Sequence, residues 1–171
     1  MQMSLVLTVL SDDRPGLVKM LSDVLKEYQG NWTESRMIHL AGKFAGLLMV
    51  SVPESEFDDL VSALHDLEDD GLEISVDATA NETAVETAET LELEVLGQDS
   101  PGIINRITNQ LLTLSVNIEE LSSEQRSAPM SAELLFYAKL SLGLPKGVTA
   151  QQVQDALEEL PNQLMVDINF S

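Results

Sequence analysis

An α+β chain made of two copies of one β-α-β-β-α-β module is what this sequence predicts, on three observations. Ser11-Asp12-Asp13-Arg14-Pro15-Gly16-Leu17-Val18 returns 86 positions later as Gly97-Gln98-Asp99-Ser100-Pro101-Gly102-Ile103-Ile104. An ungapped comparison of Leu5 to Arg36 with Leu91 to Ser122 gives 10 identities in 32 pairs, including Asp13/Asp99, Pro15/Pro101, Gly16/Gly102, Asn31/Asn117 and Glu34/Glu120. Each copy places an apolar alternation ahead of that stretch, Leu5/Leu7/Val9 and Leu91/Leu93/Val95, and a helix-period run behind it.

Residues 3–10 read as a first strand. Pro15 then suits a first helical position, where its missing N–H is harmless and its φ already fits. Asp12 or Asp13 can cap the freed amides. Leu17, Met20/Leu21, Val24 and Tyr28 recur at helical spacing, so a helix is expected over 15–29, stopped by Gly30. Residues 31–40 form a second strand, Ala41-Gly42 a turn, and 44–52 a third strand with Phe44, Gly46, Leu48, Val50 and Val52 on one face. Phe57, Leu60, Val61, Leu64 and Leu67 mark a helix over 54–69, ended by Gly71, and 72–78 alternates as a fourth strand.

That order matches the split βαβ, or ferredoxin-like, arrangement: one antiparallel sheet with both helices on one face. The modules are expected at residues 1–79 and 90–171, with a linker at 80–89 whose small, polar and acidic residues lack a stable apolar period. In the second copy the sequence predicts a strand at 90–97, a helix at 101–115, strands near 117–126 and 131–142, and a loop over Leu144-Pro145-Lys146-Gly147. Thr149 and Gln152 have capping-box spacing ahead of a helix that Pro161 stops, and residues 163–170 supply the last strand.

The two sheets differ on the face away from the helices. Val6, Thr8 and Leu10 beside Ala45, Leu47 and Met49 make that face mostly apolar in the first copy. The second copy puts Glu92, Glu94 and Leu96 beside Glu133, Leu135, Tyr137 and Lys139 there. A bare apolar sheet face is an association hazard, so it is expected to be covered, by another sheet or chain or by this chain's own linker or second module.

Composition removes several functions. The 9 Lys+Arg against 29 Asp+Glu give a net charge of −20, which repels the phosphate backbone and argues against direct nucleic-acid binding. With zero cysteines there is no disulfide framework, thiol nucleophile or thiolate metal site. No apolar run is long enough for a membrane span and no secretory leader is visible, so the cytoplasm is the default location. His39 and His65, the two histidines, have no paired ligand spacing, so no metal site and no cofactor is expected. Phosphate-loop, dinucleotide and nucleophile-elbow patterns are missing, and acidic pairs such as Asp12/Asp13 or Glu158/Glu159 are sequence neighbours rather than groups facing across a cleft. Catalysis has no set of residues to stand on.

The duplicated joint remains. Amides after Pro15 and Pro101 point out of a helix N-terminus, a place suited to a small anion such as an amino-acid carboxylate. Asp13 and Asp99 could meet an ammonium group, and glycine at 16 and 102 lets a ligand or backbone approach. The competing reading is that Asp-x-Pro-Gly only starts a helix.

On these residues the sequence resembles the ACT domain family of small regulatory βαββαβ modules that bind amino acids. Asp13-Arg14-Pro15-Gly16-Leu17-Val18 and Asp99-Ser100-Pro101-Gly102-Ile103-Ile104 resemble the family's strand–helix joint, with Asn31 and Asn117 at the usual place before the second strand. Asn31-Trp32-Thr33-Glu34-Ser35-Arg36, Leu40-Ala41-Gly42-Lys43-Phe44-Ala45, Asn117-Ile118-Glu119-Glu120-Leu121 and the Ala128-Pro129-Met130 loop are similar to its tandem-module regulators of glycine cleavage. The resemblance implies a non-enzymatic regulator of glycine or one-carbon metabolism that senses a small amino acid, glycine above all, and contacts a DNA-binding activator protein rather than DNA. The alternative it leaves is a regulatory subunit of a metabolic enzyme. Ligands in the family lie at interfaces between modules, so the implied binding residues are Asp13, Arg14, Gly16 and Asn31, then Asp99, Ser100, Gly102 and Asn117, in an expected homodimer. Arg14 against Ser100 puts equal binding by the two joints in doubt.

Overall fold

In the computed structural model, which describes residues 1–78 and 87–169, Leu5, Leu7 and Val9 lie on a strand over Gln2–Asp12 (β1) that turns all three inward. Leu17, Leu21 and Leu25 are the buried stripe of a helix over Leu17–Glu27 (α1). Then come Asn31–Leu40 (β2), Lys43–Pro53 (β3), a 3-10 turn, a helix over Phe57–Asp66 (α2), a second 3-10 turn, and Glu73–Ala78 (β4). The sheet order is β2-β3-β1-β4, and every neighbouring pair is antiparallel. The helices pack Leu17, Leu21, Leu25, Leu60 and Leu64 onto the inward residues of β1 and β3, forming one core.

The second copy repeats this with Glu89–Gln98 (β5), Ile103–Thr113 (α3), Asn117–Ser127 (β6), Leu134–Leu144 (β7), Ala150–Glu158 (α4) and Met165–Asn169 (β8), in the order β6-β7-β5-β8. Its core is separate, built on Leu91, Leu93, Val95, Ile107, Leu111, Leu140, Leu142, Val153 and Leu157. The chain divides into two units, residues 1–83 and 84–171. Most of the linker expected at 80–89 lies outside the described residues. Ala88 already donates its N–H to Leu144 O at 2.9 Å, and β5 begins at Glu89.

Matched irregularities show how closely the copies follow one backbone. The second strand of each copy carries one extra residue, Thr33 in β2 and Glu119 in β6, a bulge that bends the strand. Gln29 and Ser115 take the left-handed conformation after the first helix of each copy, with φ of 58° and 56°. The next amides, of Gly30 and Val116, close back on Leu25 O at 2.7 Å and Leu111 O at 3.0 Å. Gly30 is therefore not the residue that stops α1; Gln29 takes the left-handed stop in its place.

Other boundaries move for local reasons. The β2–β3 turn is Ala41-Gly42, both at positive φ (50° and 78°), which suits a two-residue hairpin. β7 starts at Leu134 rather than 131, because Ala128 N–H pairs with Glu133 O at 3.0 Å and Met130 (φ 65°) turns the loop between them. Glu133 thus lies in that loop and not on the sheet face where the sequence put it. Leu144, expected in a loop, is the last residue of β7, buried and paired with Glu89. The capping box forms as expected, with Gln152 N–H on Thr149 Oγ1 and Thr149 N–H on Gln152 Oε1.

Candidate functional site

At the first joint the helix starts two residues later than Pro15. Gly16 is its N-cap, at φ 95°, and Gly16 O receives the Met20 N–H at 3.0 Å. A residue at positive φ cannot be part of a right-handed helix, so Pro15 belongs to the turn and α1 begins after Gly16. An added Cβ at Gly16 would meet nothing within 4 Å, so its left-handed backbone, not clearance for a neighbour, is what calls for glycine. Neither aspartate caps the helix, for no side chain accepts from its first amides. β1 stays paired with β3 as far as Asp12 and Lys43, and this holds both carboxylates against the β2–β3 hairpin. Asp12 forms an ion pair with Lys43. Asp13 donates its N–H to Gly42 O at 2.9 Å, and its Oδ2 lies 3.5 Å from His39 Nδ1. Arg14 donates to the Asp70 carbonyl in the turn before β4.

The second joint has the same backbone and a different polar lining. Gly102 is the N-cap of α3, at φ 84°, and no side chain caps this helix either. Asp99 donates its N–H to Leu134 O at 3.1 Å and accepts from Gln125 Nε2 at 2.5 Å. Gln125 stands 86 positions after His39, so each joint aspartate is met by the same position of the second strand. The sequence shows no paired ligand spacing for His39 and does not single out Gln125. The Ala41-Gly42 hairpin was the available signal, since it returns His39 to the end of the sheet where β1 stops.

Ser100 is committed to its own module. Its Oγ accepts from Asn162 Nδ2 at 2.8 Å and also from Arg106. Asn162 donates to Gln98 O at 3.1 Å, and Gln98 N–H returns to Asn162 O at 3.0 Å. Arg106 adds Nε to Asn162 Oδ1 at 3.4 Å and Nη1 to Pro101 O at 3.3 Å. Asn162 is only 4% exposed, so this is a buried strap from the turn before β8 to the joint. In the first module Arg14 makes the corresponding reach, to an exposed carbonyl.

Asn31 and Asn117 do not join these sets within a module. Asn31 pairs with Ser51, whereas Leu40 pairs with Lys43 beside Asp12. Nine residue steps of strand separate the two ends, about 30 Å. Asn117, paired with Gly143, is displaced in the same way. The structure brings together Asp13, Arg14 and Gly16, and likewise Asp99, Ser100 and Gly102. Among the described residues no group of three His or acidic side chains is placed to hold a metal ion, and no helix is long and apolar enough to cross a membrane.

A protein-family model described as the ACT domain matches residues 3–77. An unknown protein from Galdieria sulphuraria is 31% identical, with 98% of each chain covered and a TM-score of 0.80. The first module belongs to the ACT domain family. Both units of the chain carry the ACT fold. A solved structure described as a candidate glycine cleavage system transcriptional repressor superposes over 99% of this chain and 97% of its own, with a TM-score of 0.69 and 20% identity. The two chains share the two-module fold. No curated protein matches the chain.

Proposed function

We propose that this tandem ACT protein is a non-enzymatic regulator responsive to a small amino acid, with glycine the ligand of choice. It controls glycine cleavage or one-carbon metabolism by contacting a DNA-binding activator protein in the cytoplasm. The carrying observation is the pair of glycine-started helices. Each opens on amides that no side chain caps, beside an aspartate held at a fixed place on the sheet end. Uncapped amides favour a carboxylate and the aspartate favours an ammonium group, so the two ends of an amino acid find opposite partners. The net charge of −20 supports action through protein rather than DNA. The repressor description of one two-module structural neighbour points the same way.

The first joint is proposed as the working sensor. Arg14 holds only an exposed carbonyl and is available to a ligand, whereas Ser100 is used by Asn162 and Arg106. Asp13, Arg14 and Gly16 then form the site, and Asn31 stands apart from them at the far end of the sheet. Asp99, Ser100, Gly102 and Asn117 form the weaker counterpart.

Calorimetry of the full chain with glycine, serine and alanine tests the reading. Glycine should release heat, Asp13→Ala should abolish it, and Ser100→Ala should leave it in place. Silence with all three amino acids would sink the sensor assignment. Co-purification of a metabolic enzyme in place of a DNA-binding protein would transfer the chain to the enzyme-subunit reading.

A further inference from the structure

The second sheet is hollowed on the face that points away from its helices. From β6 across to β8 the rows there are Glu120-Ser141-Glu92-Asn169, Ser122-Lys139-Glu94-Asp167 and Glu124-Tyr137-Leu96-Met165. Ser122 and Ser141 are short, and the longer Glu92, Glu94, Glu120 and Lys139 stand around them, leaving a cavity of about 370 Å³. No helix of this module lies over it, since α3 and α4 pack on the opposite side. The first sheet has Val6, Thr8, Leu47 and Met49 at the places of Glu92, Glu94, Lys139 and Ser141, so this lining belongs to the second copy.

Charge decides what fits the hollow. The carboxylates of Glu92, Glu94, Glu120, Glu124 and Asp167 share this face with the cations of Arg126 and Lys139. Both cations are already placed. Arg126 lies 2.6 Å from Glu124 and 3.6 Å over the Tyr137 ring, and Lys139 lies 3.7 Å from Glu94. Glu94 is further fixed by the Tyr137 hydroxyl, which donates to it at 2.9 Å. Among the described residues Glu92 and Asp167 form no ion pair with the chain. Glu92 and Glu120 flank Ser141 at two strand spacings from each other, roughly 10 Å, so a guanidinium or ammonium group standing over the serine is within reach of both. Past Lys139 the hollow runs onto an apolar lip of Leu96 and Met165, the latter 63% exposed.

We propose that this face docks a basic segment of the protein partner, with an arginine or lysine in the hollow and an apolar residue on the Leu96–Met165 lip. The inference rests on the reading of the chain as one that acts through a DNA-binding protein, and it names the surface that does so. Such a partner carries the required chemistry, because it neutralises phosphates with lysine and arginine. Opposed charges steer the two surfaces together and fix their register. A free small cation would satisfy the glutamates but leave the lip uncovered, whereas a segment of chain covers both.

The net charge of −20 draws any cation to this chain, so the test must separate the hollow from the bulk charge. The probe is a short fluorescein-labelled peptide that alternates arginine with serine and ends in leucine, titrated with the full chain and read by fluorescence anisotropy. It should bind, and bind more weakly as salt rises. Glu92→Lys, and Glu120→Lys on the edge strand, each with an unchanged circular dichroism spectrum, should raise the Kd about tenfold or more. Glu159→Lys, the same change of charge beyond the end of α4, should leave it nearly unaltered. Ser141→Phe fills the hollow without changing charge and should weaken binding as Glu92→Lys does. Lys139→Met removes the competing ammonium group and should tighten it. No binding at low salt, an equal loss in Glu159→Lys, or indifference to Ser141→Phe overturns the proposal. Free arginine displacing the peptide at the peptide's own concentration would make the hollow a small-cation site and overturn the docking surface. The peptide titration uses no amino-acid effector, so silence of the chain toward glycine, which would sink the sensor assignment, leaves this result standing by itself.

Discussion

Asn162 holds Ser100, its Nδ2 donating to the serine Oγ at 2.8 Å while the same amide serves Gln98 O at 3.1 Å. The two residues are 62 positions apart and fasten the turn before β8 to the start of α3. Asn162→Ala removes one donor from a part-buried carbonyl and one of the two donors on the Ser100 hydroxyl, so it should cost about 1–2 kcal/mol. Urea unfolding monitored by NMR should place that loss in residues 87–169 and leave the first core's amides unshifted.

Gly16 and Gly102 stand at φ 95° and 84° with no backbone atom near where a Cβ would go. Alanine at either position should cost about 1–2 kcal/mol, from conformation alone. Thermal melts of Gly16→Ala and Gly102→Ala should give similar losses. A much larger loss at Gly16 would mean that a close neighbour also selects glycine there.

Gly46 has the opposite reason for being glycine. Its φ is not positive, but a Cβ would come within 2.6 Å of Met37 Cγ and 2.8 Å of Arg36 O. Gly46→Ala should therefore cost about 1–3 kcal/mol. Met37→Ala should relieve only part of this, because the Arg36 carbonyl remains. Full rescue in the double variant, by chemical denaturation, would contradict the backbone clash.

The ion pair between Asp12 and Lys43 holds the aspartate carboxyl below its ordinary range and the lysine ammonium above its own, through their hydrogen bond first and their charges second. A depressed aspartate lends stability above its unfolded pKa and loses it as pH falls through the folded one. The raised lysine lends stability below its unfolded pKa and loses it as pH rises through the folded one. Both groups are fully exposed, so salt should screen the effect. A carboxyl NMR titration should show Asp12 titrating low, and Lys43→Met should return it toward the ordinary aspartate value.

The repeat exposed the fold because periodicity is a local property. Leu5/Leu7/Val9 and Leu17/Leu21/Leu25 face inward whatever lies beyond them, since strand and helix geometry fix which residues share a side. The contrast between the two open sheet faces was legible for the same reason, apart from Glu133, which a loop removed.

By itself, then, the sequence determined the two copies, their element order, the inward positions and a joint at each helix start. Only the tertiary structure decided where the joint's polar groups go. Asp13 meets His39 rather than the helix amides. Ser100 is taken by Asn162 and Arg106 while Arg14 reaches a carbonyl. Asn31 stands at the far end of the sheet. Hydrophobic pattern reports which side of its own element a residue occupies. A polar side chain's partner depends on the register of strands and on turns tens of residues away, which no local pattern encodes.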